Sequence, residues 1–397
     1  MDLQSQRAPL PAVVGWWELG RACLWLGLTC YGGPAMVGYV RDVMVERRRW
    51  IRSAEFAEGL ALSQIVPGAT LTQVISYVGL VLKGPKGAAL AAAAFILPGT
   101  LIVIAVSALY FRWQSLPLVA SLSHGVGAVV IGLLVYASVR LAKSSFRSWI
   151  EYAIAIAGCA AYLFRANAFV VAVGAAAFAW AVGKMHDASK DSAEVNRADV
   201  RAVSAGAWVM LALVSGGLLL VTWLLDPLLG RVCIAFAGIG SIAFGGGYSM
   251  IPLIQQQVVD KLGLLSIGAF LDGIALGQIT PGPIMLTAAF IGYAASGPVG
   301  AIAATVAIFA PSWFTLVACA PTFRMWSRRV GVQAMIQGVV ASFVGMLLSV
   351  LIRFGSASLT DVPSTVMAVT AFVALWCGAQ LPIVVAAGLL LSPFVFR

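Results

Sequence analysis

Two places in the chain surround a backbone break with small polar side chains. Ser63, Gln64, Thr70, Thr72 and Gln73 flank Pro67-Gly68, and Gln278, Thr280 and Thr287 flank Pro281-Gly282-Pro283. Their hydroxyls and amides are neutral hydrogen-bond donors. A helix that starts just after such a break adds backbone N–H groups without an intrahelical partner and the positive end of its dipole. Together these favour an anion. Neutral donors solvate a tetrahedral oxyanion without trapping it, whereas two or three fixed arginines would hold it too tightly for quick release. Tyr31, Tyr248 and Ser249 lie beside a second pair of breaks, Gly32-Gly33-Pro34 and Gly245-Gly246-Gly247. The candidate binding residues are therefore Gly32, Gly33, Pro34, Gln64, Pro67, Gly68 and Thr70 in one place. In the other they are Gly245, Gly246, Gly247, Tyr248, Gln278, Thr280, Pro281, Gly282 and Pro283.

Glu58 and Asp272 stand six residues before Gln64 and Gln278. An intramembrane carboxylate is a candidate proton carrier, because burial favours its neutral form. Each also falls near the first turn of a half-helix, where an acid complements the dipole, so both readings stay open. Arg21, Arg41 and Arg231 are the cations nearest the glycine breaks and are candidates for attracting the anion. Snorkelling to the membrane surface is the alternative role for each. His124 reads as a packed or pore-lining residue and His186 falls in a charged linker, so neither is assigned a role. Cys23, Cys30, Cys159, Cys233, Cys319 and Cys377 are scattered through apolar runs without paired spacing. That pattern points to small buried hydrophobes, with no disulfide framework, metal site or cofactor.

A duplication positions these residues. Phe270 to Pro283 reads FLDGIALGQITPGP and Phe56 to Gly68 reads FAEGLALSQIVPG, which aligns Glu58 with Asp272, Gln64 with Gln278, and Pro67-Gly68 with Pro281-Gly282. Upstream, Tyr31-Gly32-Gly33-Pro34 aligns with Phe244-Gly245-Gly246-Gly247. Downstream, Gly84-Pro85 aligns with Gly297-Pro298, and Pro98 with Pro311. Matched blocks in one order imply two copies of one unit. A single proline-glycine break in a membrane helix is more often a kink or a packing feature, but two matched breaks in matched repeats favour a site. The copies differ at Ala69 against Pro283 and at Pro34 against Gly247, so one half can dominate binding.

The chain is 61% hydrophobic and 10% charged, with a mean hydropathy of +0.97. A soluble protein of this length would have too little polar surface to cover itself, so the composition is that of an integral membrane protein. The net charge of +10 sits in short clusters between apolar runs, as loop charges that set orientation do, and is not read as a nucleic-acid surface. Met1 to Val13 lacks the apolar core and cleavage site of a signal peptide and reads as a short cytoplasmic tail. The apolar pieces on either side of Pro67-Gly68 are about 14 residues each, or about 21 Å, short of a roughly 30 Å hydrocarbon core. They are expected to be half-helices meeting inside the membrane.

Residues 1–182 form the first repeat, 183–202 a charged cytoplasmic linker, and 203–397 an additional apolar helix, Val203 to Leu225, followed by the second repeat. One extra crossing turns the second copy upside down. With the N-terminus inside and the C-terminus periplasmic, Arg140, Lys143, Arg147, Arg324, Arg328 and Arg329 fall on the cytoplasmic side. The cluster Arg47 to Arg52 does so only if the broken segments are re-entrant hairpins, which is the topology favoured. The expected fold is an all-α polytopic membrane protein. Its two homologous halves form an inverted-topology repeat with broken or re-entrant half-helices at the GG(P) and PG(P) motifs. Such repeats build secondary transporters whose site lies at the repeat interface.

The ordered motifs, YGGP or FGG followed by a basic stretch, then FxxGLALSQxxPG and FxxGIALGQxTPGP, resemble the long-chain two-domain form of the chromate ion transporter family. The resemblance runs from about Trp16 to the C-terminus. It implies a protein of the bacterial inner membrane that expels chromate from the cytoplasm and lowers its toxicity. Sulfate is the structural analogue, and proton-coupled antiport the associated mechanism. It places the family's glycine-rich and PGP motifs on Gly32, Gly33, Pro34, Pro67 and Gly68, and on Gly245, Gly246, Gly247, Pro281, Gly282 and Pro283. The expected partners are the oxyanion and the lipid bilayer, with a homodimer as an admissible assembly; no cofactor and no nucleic acid is expected. Two alternatives belong to other classes. One is a general sulfate or oxyanion carrier or passive channel. The other is an intramembrane lipid-pyrophosphate phosphatase, which needs a nucleophile or base with Arg and His at the hairpin tips, where this chain carries Pro, Gly, Thr and Gln.

Overall fold

The computed structural model describes residues 14–31, 35–187, 226–244, 247–322 and 329–396, with a few positions between 216 and 224. Gly32, Gly33, Pro34, Gly245 and Gly246, the linker beyond residue 187, most of the helix expected over Val203 to Leu225, and Arg324 and Arg328 lie outside the described residues. Among the described residues the elements are helical, and the one extended pairing is an isolated bridge between Tyr31 and Gly282.

In hydrocarbon a chain must satisfy its backbone internally, and a helix does so within one segment. Among the described residues, four helical stretches are long and apolar enough to cross a bilayer: Thr70–Trp113, Ser121–Ser145, Ile284–Thr322 and Gly331–Ser358. The first half contains α1 (Trp16–Thr29), α2 (Ala35–Arg41) widening into a π-helical turn at Asp42–Arg47, α3 (Ser53–Ile65), α4 (Thr70–Trp113), α5 (Pro117–Ser145), α6 (Trp149–Leu163) and α7 (Ala168–Asp187). The second half repeats that order. It has α8 (Pro227–Ile242), a 3-10 turn at Gly247–Met250, α9 (Ile251–Gln255) with its own π-helical turn at Gln256–Lys261, α10 (Ile267–Ile279), α11 (Thr287–Cys319), α12 (Val330–Ser358), α13 (Val362–Trp376) and α14 (Leu381–Val395). Large apolar side chains such as Trp17, Phe164 and Val362 are 80%, 87% and 76% exposed, as befits a surface facing lipid.

The short helices ending at the breaks do not continue in line; the chain turns back on itself. Arg48, just past α2, reaches Glu18 at the start of α1 at 3.5 Å. A Cβ added to Gly59 of α3 would lie 2.3 Å from the Tyr77 ring of α4, and one on Gly273 of α10 would lie 2.5 Å from Phe290 of α11. Both contacts require hairpins. The chain doubles back again inside α4 and α11, where Gly84 and Gly297 take φ of 68° and 58°, a left-handed conformation that glycine adopts without penalty. Residues 70–83 are thus a half-helix of the expected length, and residues 85–113 run back beside them. A Cβ on Gly79 would lie 2.3 Å from the Gly87 carbonyl oxygen, whereas two residues eight apart on one straight helix are separated by about 12 Å.

The long limb of α4 establishes how the halves are oriented. Gly87 lies at the base of the first half's hairpin, beside Gly79. Farther along, Gly99 packs on the tip of the second half, where a Cβ would be 2.4 Å from the Pro281 carbonyl oxygen. Farther still, Tyr110 bonds Asp272 and packs on Phe290, back toward the base of the second half's hairpin. One helix therefore passes the base of one hairpin, the tip of the other, and then approaches that other's base. The hairpins of the two halves enter from opposite ends, which is an inverted repeat.

The crossing helices exchange partners between halves. α5 packs on α13 and α14, while α12 packs on α6 and α7. Small residues permit the close approach. A Cβ on Gly132 of α5 would lie 2.2 Å from the Ala368 carbonyl oxygen of α13, and the aligned Gly345 of α12 would meet the Ala155 carbonyl oxygen of α6 at 2.0 Å.

Candidate functional site

Each proline-glycine tip is bonded to the other half. Gly68 donates its backbone N–H to the carbonyl oxygen of Ala243 at 2.6 Å, and Gly282 donates to that of Cys30 at 2.7 Å. Ala243 and Cys30 immediately precede the aligned Phe244 and Tyr31, so each proline-glycine tip is bonded to the residue leading into the glycine break of the other half. Gly68 and Gly282 have φ of +137° and +116°, values that residues bearing a Cβ rarely adopt.

The two tips are lined differently. In the first half Gln73, 1% exposed, donates through Nε2 to the Pro67 carbonyl oxygen at 2.7 Å and lies 3.3 Å from Ser312 Oγ of the second half. A Cβ on Gly68 would be 2.1 Å from the same Ser312 oxygen. The Gln73 amide thus neutralises a tip carbonyl that would otherwise repel an anion, and the first-turn N–H groups of α4, at Thr70 to Thr72, follow directly. In the second half Gly99 stands opposite Ser312 in the repeat and packs on the Leu286 methyl group, so that tip is closed by apolar contact.

Among the sequence candidates, Pro67, Gly68, Thr280, Pro281, Gly282 and Pro283 are buried at the tips and Thr70 is half-buried. Gln278 is 4% exposed, and its Nε2 finds no hydrogen-bond partner among the described residues. Its aligned residue Gln64 is exposed. The hydroxyls of Ser63, Thr280 and Thr287 donate to the carbonyls of Leu60, Leu276 and Ile284, so their protons serve the helix ends. Gly247 packs against Ile284, and Tyr248 is half-buried against the apolar core. The cavity beside Gly247 is about 10 Å³ and lined mainly by apolar groups such as Met250 and Ile254, a packing gap rather than a seat for an oxyanion.

Of the two carboxylates, Asp272 is 5% exposed and accepts hydrogen bonds from Tyr110 Oη at 2.8 Å and Ser123 Oγ at 2.6 Å. Glu58 is half-buried. Arg41 pairs with Glu46 at 3.1 Å and donates to Ser53 at 3.1 Å, which holds it toward the base of its hairpin. Arg21 and Arg231 are exposed on α1 and α8. Ser312, Tyr110 and Ser123 were not among the candidates because none lies in a repeated motif. For Ser312 the alignment of Pro98 with Pro311 held the signal, since it places a serine where the other copy has Gly99.

The sequence model of the chromate transporter family matches residues 17–180 and 230–392, one stretch in each half. The chain belongs to the chromate transporter family. It is 32% identical over 355 residues to a chromate transport protein of Cupriavidus metallidurans, spanning 86% of this chain and 83% of that one. A chromate transport protein of Pseudomonas aeruginosa is 29% identical over 94% of this chain and 88% of its own length. An uncharacterised transporter of Methanocaldococcus jannaschii is 30% identical over 92% of this chain and 91% of its own. No solved structure matches the chain. The protein is accordingly a multi-pass membrane transporter of this family, not an enzyme.

Proposed function

We propose that this transporter exports chromate, or a tetrahedral oxyanion of the same shape such as sulfate, from the cytoplasm across the bacterial inner membrane, and thereby confers chromate resistance. The observation that carries this reading is the reciprocal bonding of Gly68 to Ala243 and of Gly282 to Cys30, which ties each proline-glycine tip to the other half. Two sets of neutral donors are offered to the anion, the unpartnered Gln278 amide at one tip and the first-turn N–H groups of α4 at the other. The relatives in C. metallidurans and P. aeruginosa bear the name chromate transport protein.

Orientation follows from charge. Arg48 meets Glu18 and Lys83 lies over the Trp16 ring, so the arginine cluster after α2 and the turn within α4 share one end of the molecule. The positive-inside rule puts that end in the cytoplasm, makes the hairpins re-entrant, and leaves the C-terminus periplasmic. A dianion leaving a cell that is negative inside is favoured by roughly 2.3 kcal/mol per charge per 100 mV, so an inward proton adds to this drive. Asp272 is the better proton carrier because it is the more deeply buried of the two carboxylates. Lowering the external pH then accelerates export, and Asp272→Asn flattens that dependence more than Glu58→Gln; if both variants kept the parental pH profile, these carboxylates would carry no proton.

The deciding experiment is uptake of radiolabelled chromate into inverted membrane vesicles carrying the protein, with and without excess sulfate. Accumulation that sulfate inhibits weakly is the expected result. Equal accumulation of sulfate would make the protein a general oxyanion carrier, and no accumulation of either would end the export reading.

A further inference from the structure

The central site is approached along two aligned hairpin helices, α3 and α10, and the structure treats them differently. On α10 the face carrying Leu271, Asp272, Ala275 and Gln278 is buried, with α10 packed on α5 and α14. On α3 the corresponding positions of Ala57 and Gln64 are exposed and those of Glu58 and Ala61 are half-buried. These four residues lie on one side of the helix at spacings of three to four. They are small or polar, where a lipid-facing helix would present large apolar side chains. Such a face is suited to water rather than to hydrocarbon.

What closes the α10 side is a specific set of contacts from the other half. Tyr110, at the end of α4, and Ser123, in the first turns of α5, both donate to one oxygen of Asp272, at 2.8 and 2.6 Å. Beside this pair, Phe111 stacks on Phe290 at 5.1 Å and on Tyr293 at 5.8 Å. A buried carboxylate is stable only while its oxygens are hydrogen-bonded, so the two hydroxyls and the carboxylate hold each other in place. The repeat does not duplicate them. The residues aligned with Tyr110 and Ser123 are Phe323 and Ile336, neither of which can donate.

We propose that Tyr110 and Ser123 form a latch on Asp272 that shuts the central site toward the end opposite the arginine cluster, while the α3 face forms the open approach from the other end. This rests on the central site being the transport site. Releasing the latch frees α10 from α5 and opens the second approach; the positions aligned with Tyr110 and Ser123 carry no hydroxyl, so those positions do not hold the other gate in this way.

The test uses the full-length chain in membrane vesicles, with the native cysteines replaced and single cysteines introduced at Gln64→Cys or Gln278→Cys. The readout is labelling by a membrane-impermeant maleimide applied from each side. With the latch intact, Gln64→Cys reacts from the arginine-cluster side and Gln278→Cys is protected. Adding Tyr110→Phe and Ser123→Ala removes both hydrogen bonds and should raise labelling of Gln278→Cys from the opposite side by at least about tenfold, the change expected from losing even one charge-assisted hydrogen bond. Unchanged protection would overturn the latch. If the cysteine-free chain does not fold, Gly127→Cys with Leu271→Cys in the native background serves instead, since Leu271 Cδ1 lies 3.6 Å from a Cβ built on Gly127 and Asp272 is left in place. A reducible cross-link between them that arrests transport until it is cleaved supports the latch, and full transport by the cross-linked protein refutes it. Labelling does not require turnover, so a chain that labels as predicted yet moves no chromate keeps the latch and loses the chromate reading.

Discussion

The backbone N–H of Gly282 donates to the carbonyl oxygen of Cys30 at 2.7 Å, so the tip of the second half's hairpin is held by the first half. Gly68 and Ala243 make the same bond in the reverse sense at 2.6 Å. Neither half can move its tip without disturbing the other, which is what a rocking exchange between two repeats requires of its pivot.

The tips should therefore be intolerant of side chains. Gly282→Leu forces a Cβ into a backbone with φ +116° and against the Leu286 methyl group, a strain of about 1–3 kcal/mol. Pro281→Ala permits the helix to run through the break. Both variants should insert into the membrane at close to parental levels, measured by immunoblot of the membrane fraction, and lose most chromate uptake in inverted vesicles. Parental uptake by both would remove the tips from the transport site.

Ser312 and Gln73 offer a paired test across the halves. Gln73→Leu removes the donor to the Pro67 carbonyl oxygen at 2.7 Å as well as the 3.3 Å contact with Ser312 Oγ, whereas Ser312→Ala removes the second alone. A neutral hydrogen bond contributes about 0.5–1.5 kcal/mol, and an orphaned buried carbonyl costs about 1–3 kcal/mol. Thermal unfolding of the detergent-solubilised protein should therefore fall further for Gln73→Leu than for Ser312→Ala. The double variant should resemble Gln73→Leu, because the Ser312 contact is already absent there. A double variant equal to the sum of both losses would mean that the two residues act independently.

Most of this arrangement was legible in the sequence because the repeat spells it twice. The pairing of Pro67-Gly68 with Pro281-Gly282 located the tips, and 14-residue apolar runs, too short to cross, pointed to half-helices. Three matters were not legible. Which hydroxyls donate outward depends on local geometry: Thr280 and Thr287 look like anion ligands in the sequence, yet their protons go to helix carbonyls one turn back. Contacts between halves come from residues outside the motif, as with Tyr110 and Ser123 on Asp272, since pairing at a distance leaves no periodic trace. Arg41 illustrates a third limit, because its proximity in sequence to the Gly32-Gly33-Pro34 break did not reveal that Glu46 and Ser53 engage it toward the hairpin's base.

Gln278 separates binding from folding. Its Nε2 is buried without a partner among the described residues, so Gln278→Leu removes an unsatisfied donor and should leave the unfolding temperature equal or slightly higher, since an apolar isostere relieves a desolvation cost of about 1–3 kcal/mol. If that amide solvates the oxyanion, the same variant should raise the chromate concentration for half-maximal uptake by about tenfold, the equivalent of one hydrogen bond to a charged ligand. A variant that is less stable yet transports with unchanged concentration dependence would make Gln278 a structural residue.

The exchange of helices between halves yields a prediction about assembly. Gly345 of α12 faces the Ala155 carbonyl oxygen of α6 so closely that a Cβ would lie 2.0 Å away, and Gly132 of α5 faces Ala368 of α13 at 2.2 Å. Gly345→Leu should separate α12 from α6, and Gly132→Leu should separate α5 from α13. Each overpacks a close interface at a cost of about 1–3 kcal/mol or more. Because these helices belong to different halves, residues 1–182 produced alone should be degraded or aggregate in the membrane. Co-production with residues 203–397 should rescue both fragments as a complex that co-purifies, and either glycine variant should abolish that rescue. Stable, monodisperse accumulation of the isolated first half would show that α5 does not need α13 and α14, and that each repeat folds on its own.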